Sequence, residues 1–169
     1  MGYSSYRTMK RLTIVTDAWK PQVNGVVVTL ENTIRVLEAR EYEVTVIHPY
    51  LFRMHFHLPT YPEIELALTT RARMSRLLRA SRPHFIHIAT EGTLGVLARA
   101  ACRKEGWKFT SAYHTHFPHY VALRIPGMTG ITYAILRWFH RASAAVMVPT
   151  ESVRRDLAAH GFKNLVMWS

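Results

Sequence analysis

Short apolar runs alternate with longer amphipathic ones along the whole chain, and few folds satisfy that alternation. Leu12-Thr13-Ile14-Val15, Val44-Thr45-Val46-Ile47, Phe85-Ile86-His87-Ile88 and Ala144-Ala145-Val146-Met147-Val148 have strand length, as do residues 64–68, 108–112 and 165–167. Between them, residues 25–40 place Val26, Leu30, Ile34 and Leu37 at helical spacing. Residues 71–80 read as a basic helix closed by Arg82-Pro83, and residues 94–103, 129–142 and 150–160 read as further helices. Strands that are apolar along their length, each followed by a helix, belong in a sheet covered on both faces. Right-handed crossovers then give an α/β fold: a doubly wound, mostly parallel, Rossmann-like sheet with helices on both faces.

Composition fits one such layer. The chain has 169 residues, 49% of them hydrophobic, with no apolar run near the ~20 residues of a membrane-spanning helix. Residues 1–10 read as a flexible N-terminal segment, and residues 11–169 as one domain. The first residues lack the apolar stretch of a secretory signal, so a cytoplasmic protein is expected. The single cysteine, Cys102, falls in a helical run and reads as a small buried hydrophobe. A formal charge of +11 calls for an anionic partner: nucleic acid, anionic lipid or a phosphorylated substrate. The cations lie mostly on helical segments interleaved with apolar positions. That pattern suits solvated helix faces, or a peripheral position on an anionic membrane.

In an open parallel sheet, ligands bind beyond the carboxyl ends of the strands. Four loops there carry unusual residues. Asp17-Ala18-Trp19-Lys20-Pro21-Gln22-Val23-Asn24-Gly25 is long for a strand-to-helix connection of typically ~2–6 residues. Asn24-Gly25 permits positive φ and close backbone approach, and the free N–H groups of the helix opened by Gly25 suit a phosphate or sugar oxygen. A tight turn that needs a glycine explains the same residues. Neither the dinucleotide fingerprint nor the P-loop motif occurs. Thr90-Glu91-Gly92 leads into the next helix, where Glu91 serves either the helix dipole or a substrate hydroxyl or amine. Tyr113-His114-Thr115-His116-Phe117-Pro118-His119 gathers three imidazoles. They invite a zinc reading, which the lack of a nearby cysteine and of H-E-x-x-H argues against. Pro149-Thr150-Glu151 reads first as a helix cap at Thr150.

Taken in order, these strings resemble glycosyltransferase family 4. Asp17-Ala18-Trp19-x-Pro21-Gln22-Val23-Asn24-Gly25-Val26-Val27 is similar to that family's opening. Glu91-Gly92-x-Leu94-Gly95, Tyr113-His114-Thr115-x-Phe117-Pro118 and Val148-Pro149-Thr150 follow in the family's order. Within the family, the GDP-mannose-dependent α-mannosyltransferases are the nearest likeness, with the sulfolipid-synthase branch beside them.

The resemblance implies the N-terminal, acceptor-side half of a GT-B fold, with the nucleotide-sugar-binding C-terminal domain absent from this chain. It implies a retaining hexosyltransferase that needs no metal ion or other cofactor. Such an enzyme moves a sugar, first of all mannose from GDP-mannose, to a hydroxyl acceptor that is lipid-linked or a glycan. It further implies donor-phosphate contacts at Asn24, Gly25 and Val26, and a catalytic His114 hydrogen-bonded near the transferred sugar or attacking hydroxyl. Acceptor or sugar contacts would fall at Asp17, Trp19, Glu91, Tyr113 and Thr150. Alone, the domain is expected to be inactive. The competing reading from another class is a non-catalytic basic Rossmann-like module for nucleic acid or anionic membrane. It explains the charge but not the four loops together, and no nucleic-acid-binding signature is present.

Overall fold

The computed structural model describes residues 9–58, 61–114 and 129–168. Six parallel strands form the central sheet: β1 (Lys10–Val15), β2 (Tyr42–Ile47), β5 (Phe85–Ile88), β6 (Thr110–Ala112), β7 (Ala145–Val148) and β8 (Leu165–Met167), in the order β2-β1-β5-β6-β7-β8. The helices are α1 (Gly25–Ala39), α2 (Arg71–Ala80), α3 (Thr93–Glu105), α4 (Thr129–His140) and α5 (Glu151–Ala159). The doubly wound Rossmann-like architecture read from the apolar periodicity is therefore present.

One expected strand lies elsewhere. Residues 64–68 do not join the central sheet; they belong to β4 (Tyr61–Leu68), paired antiparallel with β3 (Met54–Leu58) in a separate two-stranded ribbon. The physical reason is that the segment is not apolar on both faces. Glu65 pairs with His57 and alternates with apolar neighbours, as suits a ribbon with a wet face. Strand β3 escaped sequence reading because histidines interrupt its apolar positions.

Chain direction explains the layering. From β1 the chain steps one way to β2 through α1; from β5 onward it steps the other way through α3, α4 and α5. Right-handed crossovers therefore put α1 on one face and the later helices on the other. Helix α1 buries Leu30, with Val26 and Ile34, against Ile14, Leu12 and Val44. On the opposite face Met74, Leu78, Leu94, Ala98 and Phe139 close over Val15, Ile86 and Ile88. Beyond them Tyr133, Leu136, Val153 and Leu157 close over Val146 and Val148. Cys102 belongs to this core, and burial raises its thiol to about 12, so it is an unreactive packing residue. The reversal between β1 and β5 opens a crevice at their carboxyl ends.

Candidate functional site at the β1–β5 edge

Backbone pairing brings the first two loops together. Ala89 N–H donates to the Val15 carbonyl, and Asp17 N–H donates to the Thr90 hydroxyl oxygen at 2.7 Å. The Asp17 carboxylate then turns toward α3. It accepts from the Thr90 hydroxyl (2.8 Å), the Thr93 hydroxyl (3.2 Å), Leu94 N–H (2.9 Å) and Gly95 N–H (3.3 Å). Asp17 is thus the N-terminal cap of α3, supplied from another loop. The local N-cap residue is Gly92, which has no side chain to give. Gly92 is also required sterically, since a Cβ there would fall 2.4 Å from the Asp17 carboxyl carbon. Burial pushes the Asp17 carboxyl above its ordinary range, and the four hydrogen bonds pull against that rise.

Helix α1 begins differently. Asn24 is extended, with φ −151°, and its side-chain oxygen accepts from Val26 and Val27 N–H, each at 3.1 Å. Positive φ, which the Asn24-Gly25 pair permits, is used at neither residue, because the cap geometry is extended and Gly25 is already helical. Gly25 is exposed, and a Cβ there would meet nothing within 4 Å. The first turn holds no carboxylate. Nothing among the described residues requires a glycine at this position.

The remaining expected site residues spread over distinct settings. Trp19 is half-buried and stacks on His48, 5.9 Å between centroids. Glu91 accepts from, or pairs with, His140 Nε2 at 3.0 Å, and His140 Nδ1 meets Ser111 Oγ at 2.8 Å. Tyr113, expected among the sugar contacts, is 3% exposed and packs edge-on against Phe162, so it serves the core. Thr150, expected in the same role, caps α5 through Val153 N–H at 3.3 Å, two strands from Glu91. Asp17 is 4% exposed and committed to α3. Asp17 and Tyr113 thus serve capping and packing in the interior, while Thr150 caps α5 from an exposed position. His116 and His119 lie outside the described residues.

His114 follows β6 with its ring edge-on to Trp168 at 5.4 Å, and its buried Nε2 has no hydrogen-bond partner among the described residues. Burial lowers its basicity and the nearby Glu91 opposes that, so the ring is held toward the neutral form. A neutral imidazole can both accept and donate a hydrogen bond. Behind it, His87 on β5 meets Thr110 Oγ1 through Nδ1 at 2.8 Å. Burial and the adjacent His114 lower His87 to about 3.

A second group went unread in the sequence. Tyr50 donates to Glu65 at 2.6 Å, His55 faces the same carboxylate at 3.0 Å, and His48 lies between Trp19 and Tyr50. His48-Pro49 at the exit of β2 was the available signal. Its partners arrive from the ribbon, which no spacing rule joins to β2.

The chain matches the family model described as Glycosyltransferase Family 4 over residues 23–168. It is 26% identical to a GDP-mannose-dependent alpha-mannosyltransferase of Mycobacterium tuberculosis over 94% of this chain and 47% of that protein. A protein of the same name from Mycolicibacterium smegmatis is 27% identical over the same shares. Sulfoquinovosyl transferase SQD2 of Arabidopsis thaliana is 27% identical over 63% of this chain and 21% of its own length. The chain thus spans about half the length of the mannosyltransferases it matches.

Proposed function

The chain belongs to glycosyltransferase family 4, and from that premise we propose that it is the acceptor-side half of a GT-B enzyme. The complete enzyme transfers a sugar from a nucleotide sugar to a hydroxyl acceptor with retention of configuration. Mannose from GDP-mannose is the first choice, because two of the relatives above carry that donor in their names. A following domain supplies the nucleotide site, and this domain alone is inactive.

The observation that carries the reading is the exposed start of α1. A glycine with open space around it, at a helix N-terminus free of carboxylates, lets a diphosphate approach the backbone more closely than any side chain would permit. The Gly25 backbone and the positive end of the α1 dipole, with Val26 held by the Asn24 cap, stabilise charge building on the leaving diphosphate. His114 orients the sugar or the attacking hydroxyl through its neutral ring. Glu91 lies near enough to His114 to act on it electrostatically. Trp19 gives the sugar an apolar wall. The helix N-terminus and cations of the following domain carry the phosphate charge in place of a metal ion. The acceptor is lipid-linked, and the basic helices hold the enzyme on an anionic membrane surface.

The test is Gly25→Val in the complete two-domain protein. Transfer is expected to fall by at least about a hundredfold, the range of a lost transition-state contact, while circular dichroism and the melting temperature stay near wild type. Wild-type turnover by a correctly folded variant removes this loop from the donor site.

A further inference from the structure

Helix α4 presents to solvent a face that the proposed transfer chemistry does not use. Ile131, Ile135 and Trp138 follow one another at i, i+4 and i+7 and are 55%, 58% and 40% exposed, with exposed Ala134 between them. They form an apolar stripe about two turns long. The helix contains no acidic residue. At its C-terminal end the stripe runs into a pocket of about 440 Å³, at the amino edge of the sheet and so opposite the β1–β5 crevice. Arg137, Arg141 and Lys163 line that pocket beside Trp138 and Asn164, with no carboxylate among the described residues that line it.

The positive charge is concentrated rather than neutralised. Arg137 Nη1 donates to the His160 carbonyl at 2.7 Å, which fixes its guanidinium at the rim. Arg141 and Lys163 make no ion pair with any of the described residues. Beneath them, buried Arg99 donates to the carbonyls of Phe139 (2.9 Å) and Trp138 (2.8 Å), and its guanidinium lies 3.9 Å from the Trp138 ring centroid. Carbonyls satisfy its donors without cancelling its charge. Burial first, and then the nearby Arg103 and Arg141, disfavour its protonated form. A diffuse anionic surface answers such an arrangement better than a single counter-ion.

We propose that the outward face of α4 is a docking surface for an anionic bilayer, with lipid phosphate seated among Arg137, Arg141 and Lys163 and with Ile131, Ile135 and Trp138 entering the headgroup–acyl boundary. Apolar side chains on a cationic helix are what interfacial insertion needs, and an indole suits the wet–dry boundary. Helix α2 provides the contrast. Its exposed positions include Arg71, Arg73, Arg76 and Arg79 but no large apolar side chain, so it can attract lipid without inserting. Helices α2, α3 and α4 lie on the same face of the sheet. The inference rests on the membrane part of the reading above, names the surface for it, and is independent of Gly25 and of the sugar.

The test is co-sedimentation of this chain with phosphatidylcholine vesicles, with and without phosphatidylglycerol. Wild type is expected to prefer the anionic vesicles. Arg141→Glu/Lys163→Glu and, separately, Ile131→Asn/Ile135→Asn are each expected to lower that partitioning by at least about tenfold, with circular dichroism unchanged. Both variants alter exposed side chains, so each controls for the folding of the other. If wild type prefers anionic vesicles and both folded variants match it, the α4 assignment is overturned while membrane binding stands. If wild type shows no preference, the assignment and membrane binding fall together and the transferase reading is untouched. A concentration-dependent dimer of wild type, abolished in Ile131→Asn/Ile135→Asn with vesicle binding unaltered, also overturns the proposal by giving the stripe to a second copy.

Discussion

Helices α1 and α3 start at the same edge of the sheet, just past the neighbouring strands β1 and β5, yet their N-termini are built for opposite purposes. The end of α3 is closed from within: the buried Asp17 carboxylate reaches across from the other loop and occupies Leu94 and Gly95 N–H. The end of α1 is capped by a neutral amide and left exposed at Gly25. A helix N-terminus attracts anions wherever it occurs. What separates a binding end from a structural one is whether the protein has already supplied the anion. Two loops with similar sequence signals, a glycine and a polar residue before a helix, thus take different roles.

The comparison breaks most visibly at Asp17. Asp17→Ala leaves Leu94 N–H and Gly95 N–H without their carboxylate, and should lower unfolding free energy by about 3–4 kcal/mol in urea titrations. A loss below about 1 kcal/mol would mean that α3 does not depend on this cap.

Acid sharpens the contrast next, because titratable groups sit on the β5–α3 side and none at the start of α1. His87 has its folded value lowered to about 3 from the ordinary 6.5. The unfolded chain therefore binds the proton more readily between those values, and stability falls as pH drops below 6.5. The expected loss between neutrality and pH ~4 is about 2–3 kcal/mol. Denaturant midpoints across this range should flatten in His87→Gln, and an unchanged slope would assign the acid response to other groups.

Asn24→Ala removes the cap of α1 and should cost about 1 kcal/mol, less than the loss at Asp17 because this cap is neutral and half-exposed. Smallest of all is Gly25→Ala, within about 0.5 kcal/mol of wild type, since its Cβ enters open space. A large destabilisation there would show that the glycine serves the fold.

The sheet and its helices were legible because their signal is local: apolar runs of period two or unbroken, then apolar residues at helical spacing. The β3–β4 ribbon was not, because His55, His57 and Glu65 disrupt the pattern that identifies a buried strand. At the candidate site, the helix start at Gly25 was legible from its place before an amphipathic run. The role of Asp17 as the α3 cap was not legible, because its partners, Thr90, Thr93, Leu94 and Gly95, lie more than seventy residues away and meet it only through the β1–β5 pairing. The partners of Tyr113 and Glu91 were illegible for the same reason. Both flank loops with a family likeness, but the second core cluster claims Tyr113 and His140 engages Glu91. His140, unread in the sequence, sits at the end of a helix where nothing local distinguishes it from a surface histidine.

The most direct measurement is an amide NMR titration of this domain with GDP, followed at the two helix starts. A donor-phosphate contact at the start of α1 predicts saturable shifts centred on Gly25 and Val26, with Leu94 and Gly95 unmoved. Shifts centred on Leu94 and Gly95, or an unperturbed Gly25 while other amides saturate, would contradict it.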